Sequence, residues 1–439
     1  MRLRQTIFAL PLLGVLLAAC NAPISPGYQI EKQELEVRFV SSPDQSLHVR
    51  ATYRLKNIGN TPLDLIEASL PADSSFSPRN LSIQIDGCSV SPSLSDAEVR
   101  IPFTPPLPFK DRRTLTIEYD LASPQQFTKD AVYLLPRDWH PALLTPKHFL
   151  SKGSKPPEKW DLRIRVPDGF LVHASGTPRG SSRSGSERVS RFTQRRGIDF
   201  PPFIVSGRYH ENVVRHQGMT INFWSLHSLP AAKFAPVATR LASTAAVFQD
   251  LFGPATKGSL ALWIVETAPT PSPRGRGIIV SPFPAGVLLP SPLFEETLEQ
   301  PVPLEFTEAL LADTWLSQLS APNLGPYGFV ELSLVHHAVW VARERRGESL
   351  DARSIAMQSP PGSEKARLFA LALRDKCGNK SLNRGLHRMI QARRGSHWTV
   401  DDLRSALELE SGQNLAEFFR VWLYQPGIPD DFRRRYAQP

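Results

Sequence analysis

Hydrophobic and polar residues alternate along the chain from about residue 28 to about residue 210. In the clearest stretch, apolar side chains occupy every second position from Leu47 to Leu55, with polar side chains between them. The same alternation recurs over residues 35–39, 81–85, 99–103, 115–119 and 162–166. A period of two puts the apolar side chains on one face of a β-strand, and turn residues bound these stretches. Several short, half-buried strands predict a β-sandwich domain over residues 28–212.

One stretch of this domain lacks the alternation. Residues Pro178–Gly197 are basic and rich in serine and glycine. Such a composition is typical of exposed connections between strands. We predict an exposed hairpin loop there.

After about residue 215 the period becomes that of a helix. Apolar residues recur at helical spacing from Ala235 to Leu251 and stop at the helix-ending pair Gly253–Pro254. Further helices are predicted over residues 303–319, 328–346, 364–376, 382–394, 400–410 and 414–423. The sequence therefore predicts an α+β multidomain protein, in which a domain over residues 213–439 combines a small mixed sheet with a helical C-terminal half.

Composition agrees with a folded protein of more than one domain. The chain has 439 residues, of which 41% are hydrophobic and 21% are charged. The formal net charge is +9, but no nucleic-acid-binding motif accompanies it, so we predict no nucleic-acid partner. Apart from Cys20, the cysteines are Cys88 and Cys377, which lie in different predicted domains. They cannot form a cysteine metal site, and the sequence leaves open whether they pair.

The N-terminus has the features of a targeting segment. A basic start, MRLRQ, is followed by the apolar run TIFALPLLGVLLAA and then by Cys20. The run is short and broken by proline, which predicts a signal peptide over residues 1–19 and not a membrane-spanning helix. The sequence LAAC resembles the lipobox of bacterial lipoproteins, whose cysteine is diacylated and becomes the mature N-terminus. An ordinary secretory signal with an incidental cysteine is the alternative.

This resemblance implies a location as well as a modification. Cys20 would carry the lipid, residues 20–27 would form a tether, and the protein would be anchored to a membrane of the bacterial cell envelope. Asn21 takes the place of the aspartate associated with inner-membrane retention. In a Gram-negative cell, the resemblance therefore implies the outer membrane or the periplasmic face.

Three segments resemble the aminopeptidase N-like (gluzincin) family of zinc metallopeptidases. Leu135–Leu143, LPRDWHPAL, is similar to the Trp-Tyr-Pro segment of the family's β domain. Residues 246–266, AVFQDLFGPATKGSLALWIVE, resemble its helix, Phe-Gly-Pro turn and strand. Residues 412–430, GQNLAEFFRVWLYQPGIPD, resemble the helix and turn that close such domains. The resemblance implies a β-sandwich followed by a thermolysin-like domain.

Peptidase chemistry in that family requires two histidines four residues apart on one helix, because such residues share a helix face and can hold one zinc ion. A glutamate beside the first histidine activates the zinc-bound water, and a second helix supplies a glutamate as third ligand. The chain has 11 histidines, and no two of them are four residues apart. The zinc-binding pair is therefore missing from the sequence.

The former zinc-binding helix is identified by Trp315, because a tryptophan commonly follows two positions after the family's second histidine. This match puts Ala309 and Asp313 at the two histidine positions and Leu310 at the position of the general base. A second frame instead takes Glu308 as the base, with Thr307 and Leu311 at the histidine positions. In either frame Glu331 falls within one residue of the third-ligand position. We prefer the first frame.

The other elements of the family's catalytic set are also missing. Residues 271–284, PSPRGRGIIVSPFP, resemble the glycine-rich strand but carry no acidic residue to hold the substrate's amine. Ser363 takes the place of the tyrosine that stabilises the oxyanion, and Ala366 that of a nearby glycine. We therefore predict no catalytic residue, no metal ligand and no zinc cofactor, with Glu331 as a vestige of the third ligand.

Other side chains of types that often bind metals or take part in catalysis are expected to have structural roles. Adjacent helix residues point about 100° apart, so His336 and His337 cannot chelate one ion and are expected to be structural. Trp315 and Trp340 are expected in the core, and Glu331 near the surface at the start of a helix.

The sequence favours a membrane-anchored lipoprotein with an aminopeptidase-like fold that binds a peptide or protein partner or acts as a scaffold. Two alternatives remain open. One is a hydrolase with a rebuilt metal site that uses Asp313 and Glu331, or Glu308. The other is a structural envelope protein whose cleft is filled.

Overall fold

A computed structural model gives the fold of most of the chain. It describes residues 27–40, 46–71, 78–95, 98–122, 131–134, 139–144, 159–194, 203–216, 218–254, 261–267, 281–283, 286–299, 307–309, 311–313, 315–316, 319–322, 327–349, 364–425 and 427–436. The predicted signal peptide, Cys20, Leu310 and Ser363 lie outside the described residues, as does most of the glycine-rich segment 271–284.

The N-terminal part of the chain is built from strands. Their bounds are β1 (Tyr28–Val40), β2 (Ser46–Asn57), β3 (Leu63–Ser69), β4 (Pro78–Ile85), β5 (Cys88–Ser89), β6 (Ser93–Ser95), β7 (Glu98–Leu107), β8 (Arg112–Ala122), β9 (Ala131–Leu134), β10 (Ala142–Leu143), β11 (Trp160–Pro167), β12 (Leu171–Ala174), β13 (Thr177–Ser184), β14 (Glu187–Gln194) and β15 (Ile204–Gly207). They form sheets of eight, four and three strands, in the orders β13-β14-β11-β1-β2-β8-β4-β5, β10-β3-β7-β6 and β12-β15-β9. The predicted predominance of strands in the N-terminal part of the chain is confirmed.

Alternation along the strands sets which face of the large sheet is buried. In β2, Leu47, Val49 and Leu55 are fully buried, whereas Arg50 and Arg54 between them are exposed. Strands β1 and β8 flank β2 as antiparallel partners, and Val37 and Tyr119 lie opposite Val49. One apolar face therefore continues across the three strands.

Three tyrosines of this face hold the segment Trp139–Leu144. Tyr119 donates a hydrogen bond to the carbonyl of Trp139 at 2.6 Å, and Tyr53 donates to that of Pro141. Tyr28 donates to the carbonyl of Leu144 at 2.8 Å. Trp139 itself is fully buried. The Trp-His-Pro segment, which resembles a family feature, thus has a structural role.

The C-terminal part contains a mixed sheet and most of the helices. Its strands are β16 (His210–His216), β17 (Met219–Ser225), β18 (Ala261–Thr267), β19 (Ser281–Phe283), β20 (Gly286–Pro290), β21 (Ala321–Pro322) and β22 (His397–Trp398). Five of them form a sheet in the order β16-β17-β18-β20-β19. Strands β17, β18 and β20 run parallel, whereas β16 and β19 are antiparallel edge strands. The carboxyl ends of the three parallel strands therefore meet at one edge of the sheet.

The helices of this part are α1 (Phe234–Phe252), α2 (Ser291–Glu299), α3 (Phe329–Arg345), α4 (Glu364–Cys377), α5 (Asn379–Ala392), α6 (Val400–Ser411), α7 (Ala416–Tyr424) and α8 (Asp430–Tyr436). Six of the helices, α1 and α3 to α7, have bounds close to those predicted, whereas α2 and α8 were not predicted. Residues 307–309, 311–313, 315–316 and 319 are also helical, and we call this stretch the 307–319 segment. No helix within the described ranges is long and apolar enough to cross a membrane.

Local sequence explains where two of the helices end or begin. Helix α1 ends at Gly253, whose φ of 89° is a conformation that side chains other than glycine rarely adopt. Helix α6 begins with a capping box, in which the Thr399 hydroxyl accepts from the Asp402 N–H and the Asp402 carboxylate accepts from the Thr399 N–H. Large buried side chains, including Phe248, Trp340 and Phe369, then join the helices in one hydrophobic core.

Contacts divide the chain into two compact units. The first contains the described residues of Met1–Val40, Ser46–Ala122 and Arg137–Ile164, and the second contains the remainder. This division does not follow the predicted boundary at residue 212. A physical reason is that Tyr133 of β9 and Val205 of β15 share a core cluster with Trp224 of β17 and Val265 of β18.

Candidate functional site

Trp315, by which the resemblance places the zinc-binding helix, is a core residue. Its side chain is 4% exposed and its Nε1–H donates to the carbonyl of Gly253 at 3.0 Å. Its ring meets that of Phe248 edge to face, with centroids 6.0 Å apart. Through these two contacts, the tryptophan connects the 307–319 segment to the C-terminal end of α1. The predicted core role of Trp315 is confirmed.

The two positions that would carry the zinc-binding histidines do not fit a zinc ion. Ala309 offers no ligand atom, and its side chain packs against the hydrophobic core. Asp313 is half-buried, and burial raises the pKa of its carboxyl above the usual range. A carboxyl whose neutral form is favoured by burial is a poorer ligand than an ordinary aspartate, because a metal binds the deprotonated form.

Glu331 lies in the first turn of α3 and is half-buried. A carboxylate there interacts favourably with the positive end of the helix dipole, so its position has a structural explanation. Across the described part of the chain, the one group of at least three side chains able to hold a metal is His227, Glu266 and Glu295. It contains neither Asp313 nor Glu331. The structure therefore does not gather three ligands around these two residues within the ranges it describes.

Glu308 takes the position of the general base in the second frame, and both of its carboxylate oxygens accept hydrogen bonds. Its carboxylate is fully buried, and Oε1 accepts from the Thr244 hydroxyl at 2.5 Å. The guanidinium of Arg240 donates through Nε to Oε1 at 3.2 Å and through Nη2 to Oε2 at 3.3 Å. Arg346 places Nη1 3.1 Å from Oε1 and donates through Nη2 to Oε2 at 3.3 Å. A carboxylate held in this way has no lone pair directed at a catalytic water.

Arg346 reaches Glu308 because it lies in the turn that follows α3. Gly347, with a φ of 77°, turns the chain directly after the helix. The turn also places Glu348 against two arginines, at 2.7 Å from Nε of Arg346 and 3.0 Å from Nε of Arg343. These arginines and Glu348 are the partners that sequence reasoning missed. The available signal was a glutamate inside an apolar helix, which must find cations when it is buried.

His336 and His337 have separate structural surroundings. The His337 ring is buried, and its Nε2 lies 2.7 Å from the Asn383 Oδ1. The His336 ring stacks on that of Trp340 with an interplanar angle of 24°. Burial lowers the pKa of His337 to about 3 and that of His336 to about 4, so both rings are neutral at pH 7. The predicted structural role of the pair is confirmed.

Solved structures with a similar fold are M1 zinc metallopeptidases. A mutant of the enzyme from Deinococcus radiodurans is 16% identical, with a TM-score of 0.63 over 92% of this chain and 96% of that chain. A mutant of the enzyme bound to a Tyr-Ser-Ala substrate, from the same organism, is 16% identical, with a TM-score of 0.62 over 92% and 96% of the two chains. A mutant of a two-domain M1 enzyme bound to L-arginine is 16% identical, with a TM-score of 0.64 over 92% and 95%.

These similarities establish the fold, and they do so along almost the whole chain. No family model matches the sequence, and no curated protein sequence matches it. The chain has the two-domain M1 peptidase fold, with a large sheet domain followed by a helical C-terminal half. The predicted fold class is confirmed. At 16% identity, the side chains at the site must be judged on their own chemistry.

Proposed function

We propose that the chain is a lipid-anchored protein of the bacterial cell envelope that has the M1 peptidase fold without zinc-peptidase activity. It binds a peptide or protein partner, or acts as a scaffold, through the region that holds substrate in peptidases of this fold. The observation that carries the proposal is the pair Ala309 and Asp313 at the two histidine positions, in a chain with no two histidines four residues apart.

The surroundings of Glu308 support the same conclusion. The second frame would keep a general base at this position, but both oxygens of that carboxylate are held by Arg240, Arg346 and Thr244. Using Glu308 as a base would require breaking buried, charge-assisted hydrogen bonds, which are among the strongest in proteins. Neither frame therefore provides both zinc ligands and a base.

Among the similar structures, one M1 enzyme is bound to a Tyr-Ser-Ala substrate and another to L-arginine. For this chain we take the tripeptide Tyr-Ser-Ala as the first probe of binding. We expect the mature protein to bind peptides of this kind without hydrolysing them.

The test combines a binding assay with an activity assay on the full mature chain supplied with Zn²⁺. Titration calorimetry measures binding of Tyr-Ser-Ala, and chromatography of the mixture measures its hydrolysis. The variants are Glu331→Ala and, as a control in the same helix, Glu344→Ala. Binding without turnover in all three proteins is the expected result.

Two outcomes would contradict the proposal. Hydrolysis that Glu331→Ala abolishes and Glu344→Ala leaves intact would show a rebuilt peptidase site. If the protein neither binds nor hydrolyses peptides, the result would favour a structural envelope protein with a filled cleft. Zinc content alone does not decide the question, since the described residues include other side chains able to hold a metal.

A further inference from the structure

Three side chains able to bind a metal, one histidine and two glutamates, converge at the carboxyl ends of the parallel strands. His227 follows the end of β17 by two residues, and Glu266 is the penultimate residue of β18. Glu295 lies in α2, which begins directly after β20 ends. Each of these side chains offers a ligand atom, and the three atoms lie within 4.8 Å of one another. The edge formed by the carboxyl ends of parallel strands is a common location for ligands.

Glu266 is the buried member of the group. Its side chain is fully buried, and Oε2 accepts from the Leu226 N–H at 2.6 Å. The other oxygen, Oε1, is also buried and accepts no hydrogen bond. It lies 3.3 Å from His227 Nε2. A buried carboxylate oxygen that accepts no hydrogen bond is unfavourable, so this atom indicates a ligand.

The imidazole of His227 alone does not satisfy the two carboxylates. The same atom, Nε2, lies 3.3 Å from Glu266 Oε1 and 3.5 Å from Glu295 Oε1. One ring nitrogen carries at most one proton, so it can donate to only one of the two oxygens. Both separations are also longer than a charge-assisted hydrogen bond of about 2.7–2.9 Å.

The separations do fit two ligands of one small cation. Zn²⁺ binds histidine nitrogen and carboxylate oxygen at about 2.0–2.2 Å, which puts neighbouring ligand atoms of a tetrahedral site roughly 3.4 Å apart. The two distances from His227 Nε2, 3.3 Å and 3.5 Å, bracket this value. A dication would also balance the two carboxylate charges.

A second orphaned polar atom lies in the neighbouring core. Tyr209 packs in one cluster with Val265, the residue before Glu266, and its buried hydroxyl has no hydrogen-bond partner among the described residues. Burial and, second, the negative charge of Glu266 raise the pKa of Tyr209. The Glu266 carboxylate therefore acts on Tyr209 through a desolvated region.

We propose that His227, Glu266 and Glu295 bind one divalent cation, with Zn²⁺ preferred because one ligand is an imidazole. The side chains of His227 and Glu295 are 55% and 53% exposed, so the remaining coordination positions face water. The bound ion would join the ends of two strands to α2. This site uses none of the residues at the peptidase positions, and the proposal does not depend on whether the chain hydrolyses peptides.

The test is titration of the full mature chain with Zn²⁺ alone, without an affinity tag. Because Cys88 is an exposed free thiol that could itself bind zinc, all proteins carry Cys88→Ser. The variants are His227→Gln and Glu295→Gln, both at exposed positions, so folding is expected to be unchanged. The matched controls are His210→Gln, an exposed histidine of β16, and Glu296→Gln, an exposed neighbour in α2.

We expect one equivalent of Zn²⁺ to bind and to raise the melting temperature, since a ligand that binds only the folded state stabilises it. His227→Gln and Glu295→Gln should each weaken binding at least tenfold, whereas the two controls should bind like the parent. X-ray absorption at the zinc edge should show one nitrogen and carboxylate oxygens. Unchanged zinc binding in either variant, or no binding by the parent, would overturn the proposal. So would Ca²⁺ binding as tightly as Zn²⁺, because carboxylates alone would then account for it.

Discussion

The guanidinium of Arg346 contacts both oxygens of the buried Glu308 carboxylate. Its Nη1 lies 3.1 Å from Oε1, and its Nη2 donates to Oε2 at 3.3 Å. The contact joins the turn after α3 to the 307–319 segment, and Arg240 adds α1 on the other side. A residue that could have been taken for a catalytic base therefore holds three helical elements together.

Glu308→Gln should lower the free energy of unfolding by about 2–4 kcal/mol, because removing one charge of a buried pair leaves the other charges uncompensated. The control is Asp250→Asn, which breaks the pair of Asp250 with Arg345, in which the side chains are 61% and 48% exposed. An exposed pair of this kind contributes about 0–1 kcal/mol. Urea denaturation followed by circular dichroism measures both changes. Equal effects of the two substitutions would show that the Glu308 network is not a main source of stability.

His337 should make the stability of the fold depend on pH. Its pKa in the folded protein is about 3, because of burial and, second, the charge of Arg374. In the unfolded chain the pKa of a histidine is about 6.5. Below pH 6.5 the unfolded state therefore binds a proton that the folded state does not. Stability is fully present above that value and falls by up to about 1.4 kcal/mol per pH unit as the pH decreases toward the folded pKa.

The measurement is urea denaturation of the parent and of His337→Gln at several values from pH 7 to pH 4. Glutamine does not titrate, so the variant should lose less stability than the parent over this range. The control is His387→Gln, which removes an exposed histidine of α5. Parallel curves for the parent and His337→Gln would contradict the assignment of a depressed pKa to this ring.

Cys20→Ala should move the protein from the membrane fraction to the soluble fraction of cells that express it. The reason is that two or three acyl chains anchor a protein stably, whereas the folded domains offer no spanning helix among the described residues. Cell fractionation and incorporation of labelled palmitate measure the change, with Cys88→Ala as control. Continued membrane association without label would indicate an anchor other than the lipid.

Thiol labelling should distinguish the two remaining cysteines. Both are free in the structure, with Cys88 exposed and Cys377 buried. Burial raises the pKa of the Cys377 thiol to about 11, which makes its reactive thiolate rare at pH 8. We expect a maleimide reagent to modify Cys88 in the folded protein and both residues after denaturation. A protein that resists labelling until it is reduced would show that the two cysteines are joined.

The sequence predicted the elements of the fold better than it predicted the site. The predicted helix over residues 328–346 corresponds to Phe329–Arg345, which is buried on nearly all sides, as expected for a helix whose apolar residues are not confined to one face. The exposed hairpin predicted at Pro178–Gly197 is present over its described residues, but its two arms are the paired strands β13 and β14 and not a loop. Backbone pairing across the hairpin compensated for a composition that is unfavourable for strands.

The contacts of the site depend on residues far apart in sequence. Glu308 meets Arg240 and Arg346, which lie 68 and 38 residues away, and no local pattern signals such a meeting. The group at the sheet edge is similar, because Glu266 follows a run of apolar residues in a strand and is recognised as a site only when His227 and Glu295 are seen beside it. The absence of a histidine pair, in contrast, was visible in the sequence alone.

The hydrogen bonds from Tyr28, Tyr53 and Tyr119 to the segment Trp139–Leu144 also fix how the strands align. Successive side chains of a strand point to opposite faces, so a shift of β1, β2 or β8 by one residue would turn its tyrosine away from the segment. The carbonyls of Trp139, Pro141 and Leu144 would then lose their donors. The segment therefore favours one register of these three strands over the others.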